Sequence, residues 1–456
     1  MKRQQGSNVH FSEPANDLTK GGIRGGLLIS CVVLASVGGL PAYSATWAQS
    51  LSITGASQGK ETVLYKFQGG AADGAAPTSG VVRDSMGNIY GTTYWGGSTG
   101  CYNGNGCGTV FKISKSGTET TLYAFSGGAD GATPNGGLTL DSNGNLYGIT
   151  TFGGDTSACT YYNSGCGVVF KIDKAGNEKV LYTFTGQGDG AWPNDEKLLI
   201  DTSGNIYGTT AIGGDFDCHE QPTYGCGVVF RLSSNGQYTV LHTFKGEPKD
   251  GYWGCSGLVQ DARGNLYGET ALGGADELGT VFRVAENGKE NVLHSFTGGA
   301  DGSSPASGEL VMAADGYLYG AATFGGQYGY GVVFKMATGG AEKVLYSFGT
   351  NGSTDGEGPS EGVVLDSNGN IYGTTEYGGS SNDGTVFELA KANGFAESIL
   401  HSFTGGADGG EPLGGNLILG SKATLFGDAQ YGGISTACPQ GGQLGCGVVF
   451  KLKLQK

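Results

Sequence analysis

Asp84-Ser85-Met86-Gly87-Asn88-Ile89-Tyr90-Gly91-Thr92-Thr93 returns almost unchanged as Asp366-Ser367-Asn368-Gly369-Asn370-Ile371-Tyr372-Gly373-Thr374-Thr375, and the fold is decided by what surrounds these two decads. Each reads as a Gly/Asn turn feeding a short apolar strand. Before the first lies Gly80-Val81-Val82-Arg83, a second strand-length run, and after it Thr109-Val110-Phe111-Lys112-Ile113. Further upstream, Val63-Leu64-Tyr65-Lys66-Phe67 makes a fourth. All four landmarks recur in order. The Phe ending the first returns as Phe125, Phe184, Phe244, Phe296, Phe348 and Phe403, and Phe111 returns as Phe170, Phe230, Phe282, Phe334, Phe387 and Phe450.

Seven copies of a four-strand unit separated by Gly, Asn and Asp clusters predict an antiparallel meander repeated in a ring. The segments are apolar on both faces, as a sheet packed between two neighbours requires, and helical periodicity is absent. The expected fold is therefore all-β: a seven-bladed β-propeller with four antiparallel strands per blade. If Gly80-Val81-Val82-Arg83-Asp84 is an innermost strand, the first strand of the chain is an outermost one. Glu61–Phe67 should then join the last blade, formed by residues 415–454, and close the ring without leaving long edges.

The landmarks resemble the GloVer tandem repeat of Gloeobacter and Verrucomicrobia, with its Asp-Ser-x-Gly-Asn-x-Tyr-Gly-Thr-Thr, Gly-Gly and Gly-Thr-Val-Phe-Lys motifs. Residues 84–93 and 366–375 match it well, and the resemblance covers nearly everything after residue 60. It implies an exported propeller-like protein and names no activity. Copies five and seven diverge, with Ala313 and Gly420 replacing the signature Asp.

Composition agrees with a globular, turn-dense chain. Of 456 residues 91 are Gly and only 11 Pro, 38% are hydrophobic and 15% charged, which excludes collagen and the high charge of disorder. A formal net charge of −15 argues against nucleic acid or anionic lipid, because such partners are held by excess Lys and Arg. Residues 1–48 read as a signal peptide with a long basic leader and an apolar run over 27–40, shorter than a bilayer span. Residues 49–60 read as a linker and 61–454 as the propeller. Membrane contact is expected only through that signal, and the product in the periplasm, on the cell surface or outside the cell, as a monomer.

Export makes disulfides the expected state of four local cysteine pairs: Cys101 with Cys107, Cys159 with Cys166, Cys218 with Cys226, and Cys438 with Cys446. Loops this short gain roughly 2–3 kcal/mol each in the chain-entropy model. The stapled copies one, two, three and seven form one arc once the ring closes. Cys255 is left over and reads as a small buried thiol.

The loops entering the innermost strand and those joining the second and third strands share one face, the customary ligand side. That face collects an Asp-Gly motif from every copy (Asp73, Asp130, Asp189, Asp250, Asp301, Asp355, Asp408) and three of the four Trp: Trp95, Trp192 and Trp253. The Asp side chains suit turn capping, with Gly supplying a positive φ. They could also grip a cation; Ca²⁺ takes such hard oxygen ligands, yet one carboxylate per blade makes no Asp-rich loop, so no cofactor or metal is expected. The Trp residues, with Asp189 and Asp250, are the candidate binding set. No catalytic constellation is legible: His242, His294 and His401 take the place of Tyr65, Tyr123, Tyr182 and Tyr346 and read as outer-strand residues without converging partners. The expected function is an exported binding module for a carbohydrate, another extracellular polymer or a protein. The alternatives are a polysaccharide lyase or hydrolase using carboxylates of the loop face, and a structural or protein-docking scaffold.

Overall fold

The computed structural model describes residues 59–454 apart from 102–103, 158, 160–163, 194–196, 219–223, 247, 306–307, 414, 422, 434–437 and 439–444. The expected signal peptide and nearly all of the linker lie outside the described residues, as does His219, which stands alone next to Cys218 in a stapled loop. Seven antiparallel sheets, each built on four strands, form the seven blades of a β-propeller. In blade 1 the order from axis to rim is Val81–Arg83, Ile89–Thr93, Thr109–Ile113 and Glu119–Ala124. Blade 7 takes its outermost strand from the other end of the chain: Lys60–Lys66 pairs antiparallel with Val448–Lys453. The closure expected from strand order is therefore present.

Two of the landmarks meet across every blade boundary, which explains why both are Phe. The Phe that follows one blade's outermost strand packs edge-on against the third-strand Phe of the next: Phe67 on Phe111, Phe125 on Phe170, Phe184 on Phe230, and so on to Phe403 on Phe450. Ring centroids lie 5.1–5.5 Å apart, a favoured aromatic geometry, and both rings are fully buried. The Phe67–Phe111 pair spans the seam where the ring closes.

The Tyr-Gly dipeptide has an equally direct cause. A Cβ on Gly148 would stand 2.6 Å from the ring of Phe170, and one on Gly208 would stand 2.7 Å from Phe230. Glycine is needed because the third-strand Phe lies across the second strand. The Tyr hydroxyl and the signature Asp form a third repeated device. Asp84 accepts hydrogen bonds from the Asn88 backbone and side-chain N–H groups and from the Tyr90 hydroxyl, at 2.7–3.0 Å. Burial raises the Asp84 pKa, but these bonds outweigh it and hold the carboxyl below its usual range. Where Ala313 replaces the Asp, Asp315 accepts the Tyr319 hydroxyl instead. Where Gly420 does, the Tyr is Phe426 and no hydroxyl needs a partner.

All four expected disulfides are present. Closure makes blades 7, 1, 2 and 3 a continuous arc of locally stapled loops, while blades 4, 5 and 6 carry no local cysteine pair. Cys255 corrects the sequence reading: it is fully buried, yet no described cysteine is free and Cys255 is itself disulfide-bonded.

Candidate functional site

Every blade enters its innermost strand through a residue with positive φ or its glycine equivalent: Ala76, Thr133, Trp192, Trp253, Ser304, Gly358 and Glu411. The N–H of that residue donates to a carbonyl of the preceding blade, as from Trp192 to Cys166 (3.1 Å) and from Trp253 to Cys226 (3.1 Å). Trp192 and Trp253 therefore occupy a latch between blades. Trp192 is 6% exposed and meets Phe152 edge-on at 5.5 Å, so its faces are spent on packing. Trp95 and Trp253 are half-buried, and Trp95 pairs with Ala75 in a two-residue bridge on the loop face.

The Asp-Gly carboxylates are also engaged locally. Asp189 accepts from the Tyr182 hydroxyl (2.9 Å), the Thr185 N–H (2.9 Å) and hydroxyl (2.6 Å), and the Gln187 N–H (3.2 Å). Asp250 accepts from the N–H groups of Lys245 (3.0 Å) and Gly251 (2.7 Å) and lies 3.0 Å from His242 Nε2. These bonds match the turn-capping reading.

A charged layer that sequence reasoning missed lies just outside them. At six of the seven blade boundaries a Glu from the start of the next outermost strand faces the Asp: Glu61 at Asp408, Glu119 at Asp73, Glu178 at Asp130, Glu290 at Asp250, Glu342 at Asp301 and Glu397 at Asp355. Burial and then the neighbouring Asp charge push Glu119, Glu178 and Glu342 up to about 7 and Glu290 up to about 8. At the seventh boundary Tyr238 replaces the Glu, stacks on Tyr182 with centroids 4.0 Å apart, and donates its hydroxyl to the Asp189 carbonyl. His242, His294 and His401 join these nodes, each near its Asp at 3.0, 3.2 and 3.4 Å. His242 does have converging partners, contrary to the sequence reading: Asp250 eight residues on, and Glu290 from the next blade.

Exposed aromatics concentrate on one sector of the loop face. Phe324 (36% exposed), Tyr328 (45%) and Tyr330 (43%) sit on the second-to-third-strand connection of blade 5, and Tyr377 (38%) on that of blade 6. Acidic groups accompany them. Glu357 is opposite Tyr377 in a short bridge, and Glu376 is hydrogen-bonded to Tyr377. Burial raises Glu376, with Glu357 adding to it, and burial, Glu376 and Asp383 together push Glu411 up to about 7. Burial, Glu411 and Glu376 raise Tyr431 to about 12.

A cavity of about 400 Å³ runs along the axis, walled by Val82, Val311, Val364, Leu365, Ile418 and Leu419. Lys197, Glu309 and Asn416 also line it, the positive charge of Lys197 and a hydrogen bond from Asn416 easing a carboxyl that burial raises. These three stand where blades 1, 2, 4 and 6 carry Gly80, Gly137, Gly257 and Gly362. A signal for them existed: blades 3, 5 and 7 each have one extra residue between the latch position and the inner strand, six steps from Trp192 to Leu198 against five from Ala76 to Val81.

The model of the Gloeobacter/Verrucomicrobia repeat matches residues 51–220 and 218–438. No curated protein matches the chain. Among solved structures it is similar to a fungal alcohol oxidase of the AA5 family in complex with copper (15% identity, 87% of this chain and 76% of that one, TM-score 0.54). It is also similar to a PQQ-bound aldose sugar dehydrogenase from Streptomyces coelicolor (12%, 88% and 99%, 0.40) and to a gluconolactonase from Xanthomonas campestris (13%, 70% and 87%, 0.39). At these identities the likeness concerns the fold alone.

Proposed function

Since this chain belongs to the Gloeobacter/Verrucomicrobia repeat family, we propose that its propeller is an exported binding module that takes a carbohydrate polymer on the loop face. The single observation behind this reading is the aromatic sector of blades 5 and 6. Phe324, Tyr328, Tyr330 and Tyr377 are all more than a third exposed, and aromatic faces beside carboxylates suit the C–H faces and hydroxyls of sugar rings. Four disulfides support an oxidising compartment, and no helix among the described residues is long and apolar enough to cross a membrane. Trp95 and Trp253, half-buried on the same face, can extend the surface; Trp192 and Asp189 serve the scaffold.

The test is polysaccharide affinity of the double variant Tyr330→Ala, Tyr377→Ala. Each stacking ring contributes about 0.5–1.5 kcal/mol, so affinity should drop about tenfold or more with an unchanged melting temperature. Affinity equal to that of the parent would refute the assignment. A second reading, hydrolase or lyase, is favoured by Glu411, half-buried beside Glu376 and held near neutrality, as a general acid requires. Its check is release of new chain ends from a polysaccharide panel, expected to vanish in Glu411→Gln while folding is retained; no release by the parent protein dismisses it.

A further inference from the structure

We infer that His242, Asp250 and Glu290 form a binding site for a divalent first-row transition ion such as Zn²⁺ at the boundary between blades 3 and 4. His242 lies on the outermost strand of blade 3 (Tyr238–Thr243), Asp250 on the loop crossing to blade 4, and Glu290 at the start of that blade's outermost strand (Glu290–Ser295). One imidazole nitrogen and two carboxylate oxygens lie within 4.8 Å of one another. Ligands bound at about 2.0–2.2 Å to one ion must sit within such a span. Among the described residues this is the one group of three or more His, Cys, Asp or Glu so arranged.

Three further observations point to a ligand. Glu290 Oε1 is buried and has no hydrogen-bond partner, as is true of the Oε1 atoms of Glu61, Glu178, Glu342 and Glu397 at other boundaries, but among the described residues only here do an imidazole and a second carboxylate lie within 4.8 Å of the Glu carboxylate. Asp250 has its orientation set independently by the Lys245 and Gly251 N–H groups, as supporting contacts do for metal ligands. The side chains of His242 and Asp250 are 16% and 11% exposed, so the site is not sealed from solvent. The mix of one nitrogen and two oxygens selects the class: imidazole favours Zn²⁺ and its neighbours over Ca²⁺, which takes oxygen ligands at six to eight positions. Binding requires His242 Nε2 to be unprotonated and Glu290 ionised, so the ion displaces protons. The site also has a structural logic, because the run of locally stapled loops ends at blade 3 and the ion would tie that blade to the next.

The experiment titrates the folded protein with Zn²⁺ alone by calorimetry and follows the melting temperature. His242→Tyr is the decisive variant, since blades 1, 2, 5 and 7 carry Tyr at this position and the fold accepts it. Glu290→Gln is the second. The parent should bind Zn²⁺ and gain thermal stability, an excess of Ca²⁺ should not displace it, and each variant should lose about tenfold or more in affinity while melting as the metal-free parent does. Equal Zn²⁺ affinity in parent and His242→Tyr, or no Zn²⁺ binding by the parent, overturns the inference.

Discussion

A chain beginning at Gln68 is expected to lose the closed ring. Removing residues 1–67 takes away the strand Lys60–Lys66, which pairs along the whole of Val448–Lys453, and the fully buried Phe67, which meets Phe111 across the seam. Emptying a core Phe position alone costs about 3–5 kcal/mol. The truncation adds an exposed edge on the third strand of blade 7 and unseals the fully buried Val448, Val449 and Phe450. The melting temperature should fall by about 10 °C or more, small-angle scattering should show an enlarged radius, and a peptide of residues 59–67 added in trans should restore part of the loss. A truncated chain as compact and stable as the parent would show that the clasp is dispensable.

The second large effect is on pH. Glu61, Glu119, Glu178 and Glu342 rise from 4.5 to about 7 on folding and Glu397 to about 9, burial first and the facing Asp408, Asp73, Asp130, Asp301 or Asp355 adding to it. Lys66 opposes the shift at Glu61, Thr121 at Glu119, and Asn351 and Tyr346 at Glu397. Between pH 4.5 and 7 the folded protein binds more protons than the unfolded chain, so stability must decrease as pH rises through that window, with Glu397 extending the decline toward 9. On the acid side the signature carboxyls Asp84, Asp141, Asp201 and Asp261 are held below 3.8, and their contribution is lost as pH falls through those values. The melting temperature should peak near about pH 4.5 and drop by about 5 °C or more by pH 8, the several glutamates being half exposed and so each worth less than its shift suggests. Glu178→Gln should flatten the slope. A melting temperature that climbs steadily from pH 5 to 8 would contradict the protonated Glu–Asp pairing.

Much of the scaffold was legible in the residues because its causes are local or repeated. Seven recurrences of two Phe landmarks demanded seven equivalent boundaries, and a chain that starts on an outermost strand and ends on a third one had to clasp. Cysteines six to eight residues apart could hardly pair otherwise. The turn-capping role of the Asp-Gly motif followed from its own loop chemistry.

The candidate site was far less legible, and the reason is geometric. Glu290 lies 40 residues beyond Asp250 in the chain and meets it only because successive blades fold back to the same radius. Trp192 looked like a contact residue, but the left-handed latch turns its side chain onto Phe152 of the preceding blade. Tyr328 and Tyr330 are exposed on the connection between the second and third strands of blade 5, a placement that residue types do not encode. Repetition and strand order in the amino-acid chain thus determined the ring and its clasp, since both follow from pattern alone. Which side chains share a boundary or face the axis was decided by the curvature of the assembled ring, because those neighbours come from different blades.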